Sequence, residues 1–473
     1  MNPKKIIAIL LALLLACAAL SACGNKGGTN TPTETEPDAL VDTSLVKEPD
    51  EVALAWESYT DDLNGAALAT DSELTYRVEN GKAELLSYTG SASAVRIPDT
   101  LGGAPVTKIA DGAFAENKTL TVLTLPDGVL EIGEGILRGC TALSALQTPL
   151  LGKHADGAQY LGYLFGSDSY LNNPRDVPAT LKCLVLSGES ASLPAYALFD
   201  CNDLVCVGLS EGTLTVEKFA LYNCASLTYV HGLERVLRIG DRALMDCSSL
   251  ERVSLSRDLA EIGFGAFEGC DALCWLEIPF VGASRTENTY LAYIFGAEYH
   301  DFAAGYYPRA LAHVKVLEGC TALNDYAFFE CLNLKEIVLP QTLESIGVRA
   351  FYGCEKLWSV AIPDAVHTVR EAAFFGCDGL LSVDFGAGLT TLGINAFYNC
   401  DSLDQIALPN ALRALPASCF AGCISLRTVE LGGVTEVGAQ AFRGCDAIET
   451  VKASGKVTFG DGNDRVKNIL ELE

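Results

Sequence analysis

The segment Leu334-Lys335-Glu336-Ile337-Val338-Leu339-Pro340-Gln341-Thr342-Leu343-Glu344-Ser345-Ile346-Gly347-Val348-Arg349-Ala350-Phe351-Tyr352-Gly353-Cys354 is one unit of a pattern that fills most of the chain. Its opening, Leu-x-x-Ile-x-Leu-Pro, predicts a short strand whose apolar side chains point one way, closed by a proline that cannot donate to a ladder. Leu343 and Ile346-Gly347 continue the apolar face, and Ala350-Phe351-x-x-Cys354 has room for a single helical turn.

Cys354 belongs to a column of cysteines at 140, 201, 224, 247, 270, 331, 354, 377, 400, 423 and 445, with intervals of 61, 23, 23, 23, 61, 23, 23, 23, 23 and 22. Asn117 stands one period before Cys140. Three places before these positions every residue is large and apolar, from Phe114 and Leu137 to Phe420 and Phe442. One place earlier still the residue is alanine, except for Ile136 and Cys419. A single unit cannot bury its apolar face, whereas stacked units build one continuous core from equivalent positions. The predicted fold class is an α/β solenoid of about 14 units of 23 residues, two of them enlarged to 38, with a parallel sheet and short helical turns.

This pattern resembles the bacterial leucine-rich repeats of the BspA-like, or Treponema pallidum, type, whose unit reads Leu-x-x-Ile-x-Leu-Pro, Leu-x-x-Ile-Gly, Ala-Phe-x-x-Cys. The match runs from about Ala94 to Cys445. The resemblance implies a right-handed, curved coil with its parallel sheet on the concave side. Similar proteins are commonly surface adhesins, so it also implies protein or glycan binding through that side.

The two intervals of 61 align without a gap at an offset of 130 residues, Tyr160-Leu161-Gly162-Tyr163-Leu164-Phe165-Gly166 against Tyr290-Leu291-Ala292-Tyr293-Ile294-Phe295-Gly296. Duplication of a larger block accounts for this. Each enlarged unit carries 15 extra residues, expected to leave the coil as a loop because the strand positions on either side keep their register.

Residues 1–22 read as a lipoprotein signal peptide: Lys4 and Lys5, an apolar run from Ile6 to Leu20, then Leu20-Ser21-Ala22-Cys23. That run is too short for a comfortable membrane span, which needs about 20 residues. Leu-Ser-Ala-Cys resembles the lipobox, which implies that Cys23 becomes the lipid-bearing N-terminus and holds the protein on the membrane, facing outward. Residues 23–50, rich in Gly, Thr, Pro and acids, read as a flexible tether spanning roughly 30 Å. Residues 51–93 are expected to cap the solenoid, which occupies 94–445, and 446–473 to close it.

Hydrophobic residues make up 49% of the 473, too many for a disordered chain. A formal charge of −27 opposes nucleic-acid binding. Cysteines in one column point the same way and are poorly aimed for disulfides or tetrahedral metal sites, and no Cys-x-x-Cys pair occurs, so the column reads as buried thiols. The five histidines form no catalytic or metal motif. No enzyme, metal or cofactor is expected, and oligomeric state is left open.

The sheet face remains. The third strand residue of each unit should point away from the core, giving a column that includes Cys183, Cys206, Tyr229, Arg252, Trp275, His313 and Glu336. His231 lies in the fifth position beside Tyr229, and Trp358 in the second position of its unit. Tyr229, His231, Arg252, Trp275, His313 and Trp358 are the expected ligand-binding residues, because exposed aromatic residues bury much area at small entropic cost. Cys183 and Cys206 are expected side by side, as accessible thiols. A purely structural envelope component is the alternative, and a transporter-associated subunit or enzyme a more distant one.

Overall fold

The computed structural model describes residues 50–470 apart from Asn288. The expected signal peptide, nearly all of the tether and the expected lipid attachment at Cys23 lie outside the described residues. The chain divides into two units between Asp61 and Asp62. The described part of the first is helical, the helix Asp50–Asn64 running across the boundary. Among the described residues no helix is long and apolar enough to cross a membrane.

The second unit is a stack of coils bonded to their neighbours on every side. Sixteen strands from Ala67–Leu68 to Thr450–Lys452 form the main face in four parallel runs: seven strands to Tyr229–His231, four from Arg252–Ser254 to Glu336–Val338, then Ser359–Ile362 with Ser382–Phe385, then three from Gln405–Ala407. A second ladder of two-residue strands follows on the next side, as in Ala322–Leu323, Ser345–Ile346, Thr368–Val369 and Thr391–Leu392. On the third side the Phe351 N–H donates to the Ala373 carbonyl at 2.7 Å and Phe374 to Ala396 at 2.7 Å.

These bonds explain the conserved spacing of residue types within the chain. Alanine stands where the backbones meet, and the following large residue fills the space between coils. The rings of Phe328, Phe351, Phe374, Phe397, Phe420 and Phe442 stack with centroids 4.9 to 5.7 Å apart. The cysteine thiol reaches back to the carbonyl of the preceding coil: Cys354 Sγ donates to Phe328 O at 3.2 Å and Cys377 Sγ to Phe351 O at 3.2 Å. Asn117, at the head of that column, instead accepts the N–H groups of Thr119 and Leu120 on its Oδ1. Burial raises the thiols of Cys331, to about 12, and of Cys354 and Cys377, so they stay protonated and weakly nucleophilic at neutral pH.

Four expectations change. The Ala-Phe-x-x-Cys segments are paired turns rather than helical turns: the residue before Ala-Phe and the residue before Cys both adopt positive φ, as at Arg349 (53°) with Gly353 (69°) and Asn395 (58°) with Asn399 (54°). The array also exceeds 14 units, because the main face gains Ala67–Leu68 at its start and Thr450–Lys452 at its end. The tail after Cys445 therefore continues the coil before the helix Asp464–Leu470 closes it. There Asn463 Oδ1 accepts the Phe442 N–H at 3.1 Å, replacing the carbonyl that a next coil would supply.

The fourth change concerns the enlarged units, whose extra residues do not simply leave the coil. Leu161, Leu164 and Phe165, and likewise Leu291, Ile294 and Phe295, are buried in the common core, because each short 3-10 helix supplies the turn-side contacts for its neighbours. Leu137 N–H donates to Leu164 O at 2.7 Å, and Phe267 N–H to Ile294 O at 2.9 Å. The duplication extends to the backbone, Gly166 and Gly296 ending the two 3-10 helices at φ 89° and 93°. At the start, Leu74–Glu79 and Lys82–Tyr88 form an antiparallel hairpin turned by Asn80-Gly81, whose second strand pairs with Ala104–Ile109.

Candidate binding face of the sheet

The third positions of successive strands lie in register: Arg252 beside Trp275, Trp275 beside His313, and His313 beside Glu336. Adjacent parallel strands are about 4.8 Å apart, which is a stacking distance for planar side chains. The Arg252 guanidinium lies over the Trp275 ring, 5.0 Å from its centroid, and the His313 ring stacks with Trp275 at 5.5 Å and 26°. Because Arg252 and His313 come from opposite neighbours, both faces of the indole are covered. His313 Nδ1 pairs with Glu336 Oε2 at 2.9 Å.

The fifth positions, Glu277 and Lys315, complete the row. Glu277 Oε1 lies 3.6 Å from Arg252 Nη2 and 3.3 Å from Lys315 Nζ, and only 14% of the Arg252 side chain and 15% of Glu277 are exposed. A carboxylate shared between two cations and largely withdrawn from water holds the guanidinium against the indole. Trp275 Nε1 is enclosed and has no acceptor among the described residues. Sequence reasoning missed Glu277 and Lys315, although their place two residues after Trp275 and His313 is a usable signal.

Of the other expected residues, Tyr229 and His231 form their own pair, rings 6.4 Å apart, on the last strand of the preceding run. That run ends where the repeat departs from its pattern, at Gly232 (φ 102°) and the 3-10 segment Leu233–Arg235. Trp358 precedes the strand Ser359–Ile362 and is 48% exposed; among the described residues no ladder register joins it to the Trp275 row.

Cys183 and Cys206 are register partners as expected, but both are buried rather than accessible. With Val122 and Ala145 they form a buried column separate from the main core. Small apolar side chains in neighbouring strands shield one another, and Leu63, itself buried, accepts the Thr124 hydroxyl on this face. The neighbouring Cys206 thiol, and then burial, push the Cys183 thiol far upward. Among the described residues no group of three or more His, Cys, Asp or Glu could hold a metal ion.

A family model described as the BspA type leucine rich repeat region matches the chain in six copies, over residues 83–153, 179–287 and 321–449. Most of each enlarged unit's extra length falls in the gaps between these stretches. Among solved structures, a leucine-rich repeat protein from Bacteroides ovatus is 22% identical, with 82% of this chain and 98% of that chain covered and a TM-score of 0.39. A leucine rich cell surface protein from Faecalibacterium prausnitzii is 23% identical, with 82% and 95% covered and a TM-score of 0.30. The leucine rich repeat protein of T. pallidum is 20% identical, with 62% and 91% covered and a TM-score of 0.20. No curated protein matches the chain significantly. With the repeat model covering more than half of its length, the chain belongs to the BspA type leucine rich repeat family.

Proposed function

We propose that this chain is a lipid-anchored protein of the outer cell surface that binds an extracellular protein or glycan ligand through the outer face of its main sheet. The Arg252, Trp275 and His313 row is the centre of that site. One observation carries the reading: Arg252, Trp275 and His313, each partly exposed, form one stacked row of charged and aromatic side chains on the outer face of the sheet. With both indole faces covered, Trp275 contributes its exposed edge rather than a flat platform. Leu20-Ser21-Ala22-Cys23 supports the anchoring.

The test begins with cell fractionation. The wild-type chain is expected in the membrane fraction, and Cys23→Ser in the soluble one. The released Cys23→Ser protein, immobilised, is then exposed to extracellular-matrix and cell-wall glycan extracts, alone and with Trp275→Ala added. Retention of a component that Trp275→Ala loses supports the reading. Equal retention by both proteins contradicts the assigned site, and a Cys23→Ser chain that stays membrane-bound contradicts the anchor.

A further inference from the structure

The two enlarged units enter their short helical segments with the same backbone, Tyr170–Asn172 leading into Asn173–Asp176 in the first and His300–Gly305 in the second, but present different side chains there. In the first, Ser169 precedes the 3-10 segment Tyr170–Asn172 at φ −156° and ψ 149°; in the second, Tyr299 precedes His300–Gly305 at φ −138° and ψ 144°. The packing beneath agrees residue for residue at the offset of 130. Tyr170 lies 4.5 Å from Tyr196 and 5.4 Å from Phe199, and His300 lies 3.9 Å from Tyr326 and 5.6 Å from Phe329. On this common frame the first unit places Ser169, Asn172 and Asp176 where the second places Tyr299, Phe302 and Tyr306.

Those three aromatic residues are 64%, 67% and 43% exposed, and among the described residues none of them stacks on another ring. Tyr299 stands immediately before the 3-10 segment His300–Gly305, and Phe302 lies within its first turn. Solvating large aromatic surface is unfavourable, and the duplicate shows that the frame does not require it. Their surroundings are acidic. From Glu298 to Ala310 two carboxylates, Glu298 and Asp301, stand against the single guanidinium of Arg309. Glu330 on the neighbouring coil has its carboxyl held above the ordinary range, by burial first and then by the facing charges of Asp301 and Glu355.

We propose that this exposed aromatic patch of the second enlarged unit is a second interaction surface, separate from the sheet face, that takes an arginine- or lysine-bearing peptide segment of a partner protein. Open aromatic faces beside carboxylates recognise cations, guanidinium best, because the group stacks on the ring while its N–H groups meet the acid. Charge complementarity selects this occupant. A second copy of this chain, at a formal −27, and an anionic polymer or lipid surface are both repelled.

The test measures binding of a fluorescent arginine-rich peptide to the full chain at about 0.15 M salt, where exposed charges more than about 8 Å apart are largely screened. The comparison protein carries Tyr299→Ser and Phe302→Asn, the residues that the duplicate tolerates on the same frame. A peptide with glutamate in place of arginine and a neutral oligosaccharide serve as controls. The double variant is expected to weaken peptide binding about tenfold while unfolding at the wild-type temperature. If the double variant loses its fold, Phe302→Asn alone gives the decision, with a several-fold loss expected. Unchanged peptide affinity shows general attraction to an acidic chain and overturns the proposal. Binding of the oligosaccharide but not the peptide overturns it in favour of a glycan site.

Discussion

Cys183 and Cys206 separate direction from exposure. Their third-position placement is legible because strand side chains alternate, and the structure pairs the two in register on the side expected. Their burial is not legible, since the spacing of a third position gives the direction of the side chain and not what covers it. Both are free, buried thiols, and Cys183 is held in the protonated form by its neighbour and by burial. A water-soluble maleimide is therefore expected to leave them unlabelled in the native protein and to label both in denaturant without reductant, read by peptide mapping. Labelling in the native state contradicts the burial, and labelling only after reductant contradicts the free thiols. The site residues divide in the same way. Arg252, Trp275 and His313 share a strand position and meet, whereas Trp358, one place off that position, does not.

At the scale of the element, the strands were readable and the turns were not. Ile337, Leu339 and their equivalents repeat at a fixed spacing because one core runs through every coil. The paired turns carry little local signal, since Tyr196, Phe219, Arg242 and Tyr326 take positive φ that such side chains rarely adopt alone. Backbone bonds from the next coil hold them there, as Tyr326 N–H donates to Val348 O at 2.8 Å. Where glycine occupies these positions, conformation is its role. A Cβ at Gly376 (φ 67°) meets nothing nearer than Gly353 Cα at 4.0 Å, so Gly376→Ala is expected to cost about 1 kcal/mol through backbone strain alone. Denaturant unfolding checks this, and a neutral substitution contradicts the turn geometry. The enlarged units misled for a related reason: fifteen residues without repeat spacing read as loop, yet Leu164 and Phe165 are core.

At the scale of the whole molecule, a stack of coils gives a surface whose side chains are fixed by their neighbours, and this suits recognition without a cavity. The Arg252, Trp275 and His313 row is ordered before any ligand arrives, so little side-chain entropy remains to be lost on binding. The central claim is that recognition takes place on this row, and amide hydrogen exchange of the full chain with and without the component retained from extracts locates it. Slowed exchange is expected in Arg252–Ser254, Trp275–Ile278 and His313–Val316, with the turn side unchanged. Protection confined to other strands, with these three unaffected, would contradict the account.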